Sequence, residues 1–213
     1  AIKMALERDE SFKIAEAEVD RSKYLRDAAA EKISFIPAAG TTYDPTFEKN
    51  WYEFLQADLN WQMSKKSLEV ARDALVVKVS KAYWDVQVAE EELKTKKLAE
   101  QQALLNLQNA RIGFLVGTVS RTDVITAEER YEQAKAGVLA AQHALDDAYN
   151  AFNRLIGLDP GQRPILVDAP SYEPIEVTDI DAEVGRIVES SPTIWLAEQQ
   201  ITLKKWTTDM AFY

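Results

Sequence analysis

The chain has 213 residues, a formal charge of −10 and a sequence pI near 4.8, so its surface repels nucleic-acid phosphates. It contains no cysteine, which excludes disulfides and thiolate metal sites. Hydrophobic residues make up 46% and charged residues 28%, a folded rather than a disordered composition.

The seven glycines and seven prolines cluster between segments, as long uninterrupted helices require. No secretory leader and no apolar run of about 20 residues is present, so no transmembrane helix is expected. Both ends read as helix interior, which implies a segment taken from a longer protein.

Residues 1–36 read as an N-terminal helix rich in Ala, Glu, Lys and Arg that stops before Pro37. Residues 37–62 read as a loop and a short strand. The stretch 37–50 carries Pro37, Gly40 and Pro45, and Leu55, Ala57, Leu59 and Trp61 then alternate with polar residues. A helix start at 51–62 is the alternative.

Residues 63–157 read as two long helices. The first runs from about Ser64 to Leu115, roughly 75 Å at about 1.5 Å per residue. The second runs from about Thr122 to Ile156, where Gly157 suits a left-handed position and Pro160 prevents resumption. Every seventh residue of the second is Val124, Tyr131, Val138, Leu145 and Phe152, beside Ala127, Ala134, Ala141, Ala148 and Leu155. The first helix matches with Val79, Val86, Leu93, Glu100, Leu107 and Phe114, beside Leu75, Ala82, Ala89, Lys96, Ala103 and Ala110. A sustained heptad implies a left-handed supercoil, and alanine on one seam lets the two backbones approach closely. The pair is therefore an antiparallel coiled-coil hairpin with its tip at 113–122. Lys96 and Glu100 interrupt the seam, either as a local irregularity or as a polar belt facing a lumen. Further apolar residues off the seam, such as Leu98 and Leu139, imply more helices alongside.

Residues 158–177 read as an extended loop. Residues 178–213 read as a last helix, opened by Thr178 and Asp181 as a capping box. Its "SPTIWLAE" at 191–198 echoes "SFKIAEAE" at 11–18, so a second repeat begins there. The fold class is all-α: a long antiparallel hairpin, flanking helices and a short residual extended segment.

At the tip, Ser120 and Asp123 read as a reciprocal N-cap and Gly117 as a turn glycine. They leave Phe114, Leu115 and Val116 bare at a helix reversal facing water, and such a patch marks a contact surface. The stretch "ARIGFLVGTVSRTDVITAEERYEQAKAGVLAAQHALDDAYNAFNRLIG" resembles the periplasmic hairpin of TolC-type outer-membrane efflux proteins. Arg111, Phe114, Val116, Gly117, Thr118, Asp123, Val124, Ala127 and Gly157 carry the match. "EKISFIP" is similar to the end of the family's helix before its first barrel strand, and "SSPTIWLAEQQI" to the start of its second repeat.

The resemblance implies a homotrimeric passive conduit across periplasm and outer membrane. It implies a tip of Arg111, Phe114, Leu115, Val116, Gly117, Thr118 and Asp123 that docks a periplasmic adaptor, with an inner-membrane pump supplying energy. No cofactor, metal or catalysis is implied. The short strand region departs from the family, because a membrane hairpin needs two strands of about 9–11 residues. A periplasmic adaptor and a structural coiled-coil spacer are the competing readings. An enzyme is disfavoured: the one histidine, His143, stands alone, and no phosphate loop, metal pair or nucleophile motif occurs. Glu128, Glu129, Glu132, Asp146 and Asp147 are candidates for an acidic, cation-favouring lumen face, or are exposed coiled-coil charge.

Overall fold

The computed structural model describes residues 1–33, 45–168, 174 and 179–211. They form six helices and, among the described residues, no strand: α1 (Ile2–Leu6), α2 (Glu10–Glu31), α3 (Pro45–Leu115), α4 (Arg121–Ile156), α5 (Ile180–Ser190) and α6 (Pro192–Ala211). They divide into two compact units, Ala1–Ala5 with Lys78–Ser171 and Leu6–Val77 with Tyr172–Tyr213, and α3 contributes to both.

In the first unit the heptad seam is where the sequence puts it. Val79, Val86, Leu93 and Leu107 of α3 are buried, as are Ala141, Leu145 and Phe152 of α4. Phe152 is enclosed and meets Tyr83 edge to face at 5.9 Å between centroids. Midway the seam is polar. The Lys96 stem lies beside Gly137, whose added Cβ would sit 3.9 Å from Lys96 Cδ. A side chain there would meet Lys96 only in ordinary contact.

The end of α4 anchors the segment that follows. Gly157 is left-handed (φ 76°), as its position demands. Asn153, fully buried, donates from its side-chain amide to the carbonyls of Asp159 (3.1 Å) and Gln162 (2.8 Å), which turns the chain back. The strap at 163–168 then lies along the hairpin. Arg163 bonds Asp146 at 2.6 Å and stacks 4.7 Å from the Tyr149 ring centre. The Asp168 amide donates to Tyr83 Oη at 2.9 Å, and Gln87 donates to the Asp168 carbonyl at 2.5 Å. The Tyr149 hydroxyl donates to Glu90 across the hairpin at 2.5 Å.

In the second unit α2 runs antiparallel to the first turns of α3. The Ser22 and Ser64 hydroxyls share a hydrogen bond at 2.7 Å, Arg26 Nε donates to Asp58 at 3.1 Å, and Lys32 pairs with Glu53 at 2.9 Å. The Arg26 guanidinium also lies 5.5 Å from the Phe54 ring centre and 5.3 Å from that of Trp61. Hydrogen bonds from Arg26 to Asp27 and Asp58 raise its pKa further above an already high value.

Four sequence expectations change. Residues 51–62 are helix, not strand. The window carries both periods: Leu55, Ala57, Leu59 and Trp61 alternate, while Phe47, Trp51, Phe54, Asp58 and Trp61 recur at helical spacing. The helical set wins because it stacks on itself, Phe47 on Trp51 at 6.3 Å and Trp51 on Phe54 at 5.9 Å, and because Arg26 reaches across to it. Residues 45–50, read as loop, are helical too, while 37–44 lie outside the described residues. The N-terminal helix is broken before Glu10, where the Asp9 side chain caps α2 by accepting from the Phe12 amide at 2.9 Å. The last helix is likewise split at Ser191, before Pro192. Its first part is capped by Asp179, which accepts from the amides of Asp181 and Ala182, and Thr178 lies outside the described residues.

Burial first, and then the hydrogen bond to Glu90, pushes the Tyr149 hydroxyl from 10.0 up to about 12. A raised pKa stabilises the folded state fully below the unfolded value, and that contribution is lost as pH rises through the folded one. Stability should therefore fall between about pH 10 and 12 as tyrosinate forms. Tyrosinate absorbance followed alongside helix content would check this, and a Tyr149→Phe variant with an unchanged alkaline transition would refute it.

Candidate docking site at the hairpin tip

The chain reverses between Leu115 and Arg121, and each backbone amide from Val116 to Ser120 is used internally. At the end of α3 the Gly117 amide donates to the Phe114 carbonyl (3.1 Å) and the Thr118 amide to the Gly113 carbonyl (2.8 Å). With Gly117 left-handed (φ 79°) this is a Schellman closure. At the start of α4, Ser120 Oγ accepts from the Asp123 amide (3.2 Å) and an Asp123 carboxylate oxygen accepts from the Ser120 amide (3.2 Å). The expected capping box is present. These bonds hold the Asp123 carboxyl below its ordinary 3.8, so the cap keeps its charge down to more acidic pH than a free aspartate would.

Gly113, which the sequence reading passed over except as the start of the tip, is the pivot. It is buried, and its carbonyl accepts from the Thr118 amide, the Val119 amide (3.3 Å) and Thr118 Oγ1 (3.1 Å). A Cβ placed there would stand 2.5 Å from Val119 Cγ2. The signal for it was a second glycine four residues before the turn glycine, too close to the helix end to be ordinary helix interior.

The candidate residues separate by what they are free to do. Leu115 (82% exposed), Val116 (69%) and Phe114 (47%) project from the closed turn. Phe114 is therefore not the seam plug its register suggested. The Thr118 hydroxyl is turned inward onto Gly113, and Asp123 is committed to the cap. Arg111 pairs with Glu128 at 2.8 Å and ties α3 to α4 just behind the tip. Both side chains are more than half exposed, so the pair contributes at most about 1 kcal/mol.

The acidic candidates do not form one free stripe. Glu128 faces Arg111, Glu132 lies 3.6 Å from Lys135, and Asp146 holds Arg163. Glu129 and Asp147 are exposed on the same side of α4. No cluster of described residues could hold a metal ion, and no helix among them is long and apolar enough to cross a membrane.

Residues 45–158 match the family described as Outer membrane efflux protein. The chain belongs to that family. It is 21% identical over 143 residues to Outer membrane protein TolC of Vibrio cholerae serotype O1, covering 66% of this chain and 33% of that protein. Two solved structures superpose along nearly its whole length. One is the outer membrane protein VceC from Vibrio cholerae (TM-score 0.72, 16% identity, 96% of this chain and 57% of that one). The other is the Campylobacter jejuni CmeC outer membrane channel (TM-score 0.70, 15% identity, 97% and 51%). A structure of CusC aligns with a TM-score of 0.78 at 16% identity, over 96% of this chain and 53% of that one. At such identities the structures establish the fold. The chain spans about a third of the curated relative and about half of the solved chains. Outer membrane efflux proteins are conduits and not enzymes.

Replacing either tip glycine should loosen the turn for a different reason. Gly117→Ala meets no neighbour and should cost about 1 kcal/mol through its left-handed backbone alone. Gly113→Ala must displace Val119, and should therefore expose the amides of Thr118 and Val119 to faster hydrogen exchange. Unchanged protection of those two amides in Gly113→Ala would show that Gly113 is not the pivot.

Proposed function

We propose that this chain is the periplasmic helical part of an outer-membrane efflux channel whose hairpin tip docks a periplasmic adaptor. In the complete assembly, a homotrimer, it conducts passively while an inner-membrane pump supplies the energy. The observation that carries the docking reading is the tip itself: three large apolar side chains held out in water by a turn whose amides are already bonded internally. Recognition there rests on side-chain shape and apolar contact, since the turn amides have no hydrogen to spare.

A cysteine at Val116, which is 69% exposed, tests this in cells that also carry a tip cysteine on the partner adaptor's hairpin. A specific disulfide is expected, and Leu115→Asp should abolish it without changing the level of exported protein. Absence of the disulfide with every adaptor encoded alongside would leave the tip a capped turn and return the coiled-coil spacer to the front.

Glu129 and Asp147 are proposed to face the lumen and favour cations, being the two acidic candidates exposed on one side of α4. Neutralising both should lower cation preference in single-channel recordings of the assembled protein. Identical selectivity would place them on an outer face.

A further inference from the structure

The hairpin of α3 and α4 is not held evenly along its length. On the strap side its interior is closed: Val79, Val86 and Leu93 of α3 are buried, as are Ala141, Leu145, Tyr149 and Phe152 of α4. The same stretch carries polar ties from Tyr149 to Glu90, from Arg163 to Asp146 and from the Asp168 amide to Tyr83. On the tip side that pattern stops. No residue of α3 between 94 and 106 is buried, and none of α4 between 121 and 140. Leu107 and Gly113 are buried further along α3, and Arg111 pairs with Glu128 there.

The change falls at one level of the two helices. On α3, Lys96 and Glu100 take seam positions that are apolar in the heptads before and after them. On α4, Gly137 stands opposite the Lys96 stem. Glycine in a helix interior weakens the helix relative to alanine. A groove of about 480 Å³ opens beside Glu100, lined by Glu132, Ala136 and Leu139 among others. Leu98, Leu105 and Leu139 are each more than half exposed, so their apolar area adds little to the seam. A seam closed to water on one side of this level and open to it on the other comes apart first on the open side. Helices of about 20 residues released from their partner are marginal in water, so they unwind once separated.

We propose that the hairpin consists of two cooperative segments divided at Lys96 and Gly137. The strapped base stays closed, while the segment that carries the tip opens and re-forms on its own. The tip is thereby a preformed turn on a yielding mount. The inference concerns the hairpin's own seam and does not rest on adaptor docking, so either can fail without the other.

Hydrogen exchange of the assembled protein, read by mass spectrometry on peptides of α3 and α4, tests this. Amides on the tip side of Lys96 and of Gly137 should exchange roughly ten-fold faster or more than those on the strap side, with the step at the same level in both helices. Gly137→Ala meets Lys96 only in ordinary contact, and should slow exchange on the tip side about five-fold while leaving the base unchanged. Lys96→Leu/Glu100→Leu, which makes the seam apolar, should move the step toward the tip. Uniform protection along both helices, as a neighbouring subunit covering the tip-side seam would produce, overturns the proposal. So does a gradual loss of protection from the tip inward, or a step that neither variant alters.

Discussion

The close approach of α3 and α4 along an alanine-lined seam is the constraint on which the coiled-coil unit depends. Alanine on one seam removes side-chain bulk, so the large residues of the other seam, Val79, Val86 and Phe152 above all, are swallowed completely. Two helices held this close can be joined by a very short reversal, and the seam so permits the five residues between Leu115 and Arg121. It also sets Tyr83, Gln87, Asp146 and Tyr149 on adjacent helix faces, where they hold one extended segment.

Much of this was legible in the sequence wherever the cause is local. Gly117 and Gly157 need positive φ, Ser120 and Asp123 need only each other, and a heptad needs only counting. The misreadings lie where a local pattern is ambiguous and a distant residue decides. Leu55, Ala57, Leu59 and Trp61 do alternate, and nothing within residues 51–62 says that Arg26, on another helix, will bind Asp58 and make that stretch helical. The breaks before Glu10 and at Ser191 had local signals, Asp9 and Ser191-Pro192, that were overridden by the evenness of the surrounding helical composition. A short helix, an interruption and a longer helix occur as α1 and α2 and again as α5 and α6, with Ser11 in the first turn of α2 and Ser191 just before α6.

Of the candidate site, the sequence supplied the membership but not the division of labour. Arg111, Thr118 and Asp123 were grouped with Phe114, Leu115 and Val116 because they share one motif. In the structure the polar members hold the tip in shape and the apolar members are what it shows. That distinction turns on which way a hydroxyl points and on a clash at Gly113, and neither is encoded in residue type.

Consider what the reversal would cost without its internal bonds. A helix ends with carbonyls unbonded and begins with amides unbonded, and at a hairpin tip the two deficits meet. Had water satisfied them, a docking partner would have to strip that water and replace each bond, and imperfect replacement would weaken binding. Here the amides of Val116, Gly117, Thr118, Val119 and Ser120 are all bonded within the turn. A partner covering the tip as proposed would not have to satisfy those amides, and displacing water from Phe114, Leu115 and Val116 would be favourable. The capping box and the Schellman closure, which look like devices for folding stability, would then also lower the desolvation cost of the proposed docking. Selectivity among partners would in that case rest on the shape of those three side chains, and above all on Leu115, the most exposed of them.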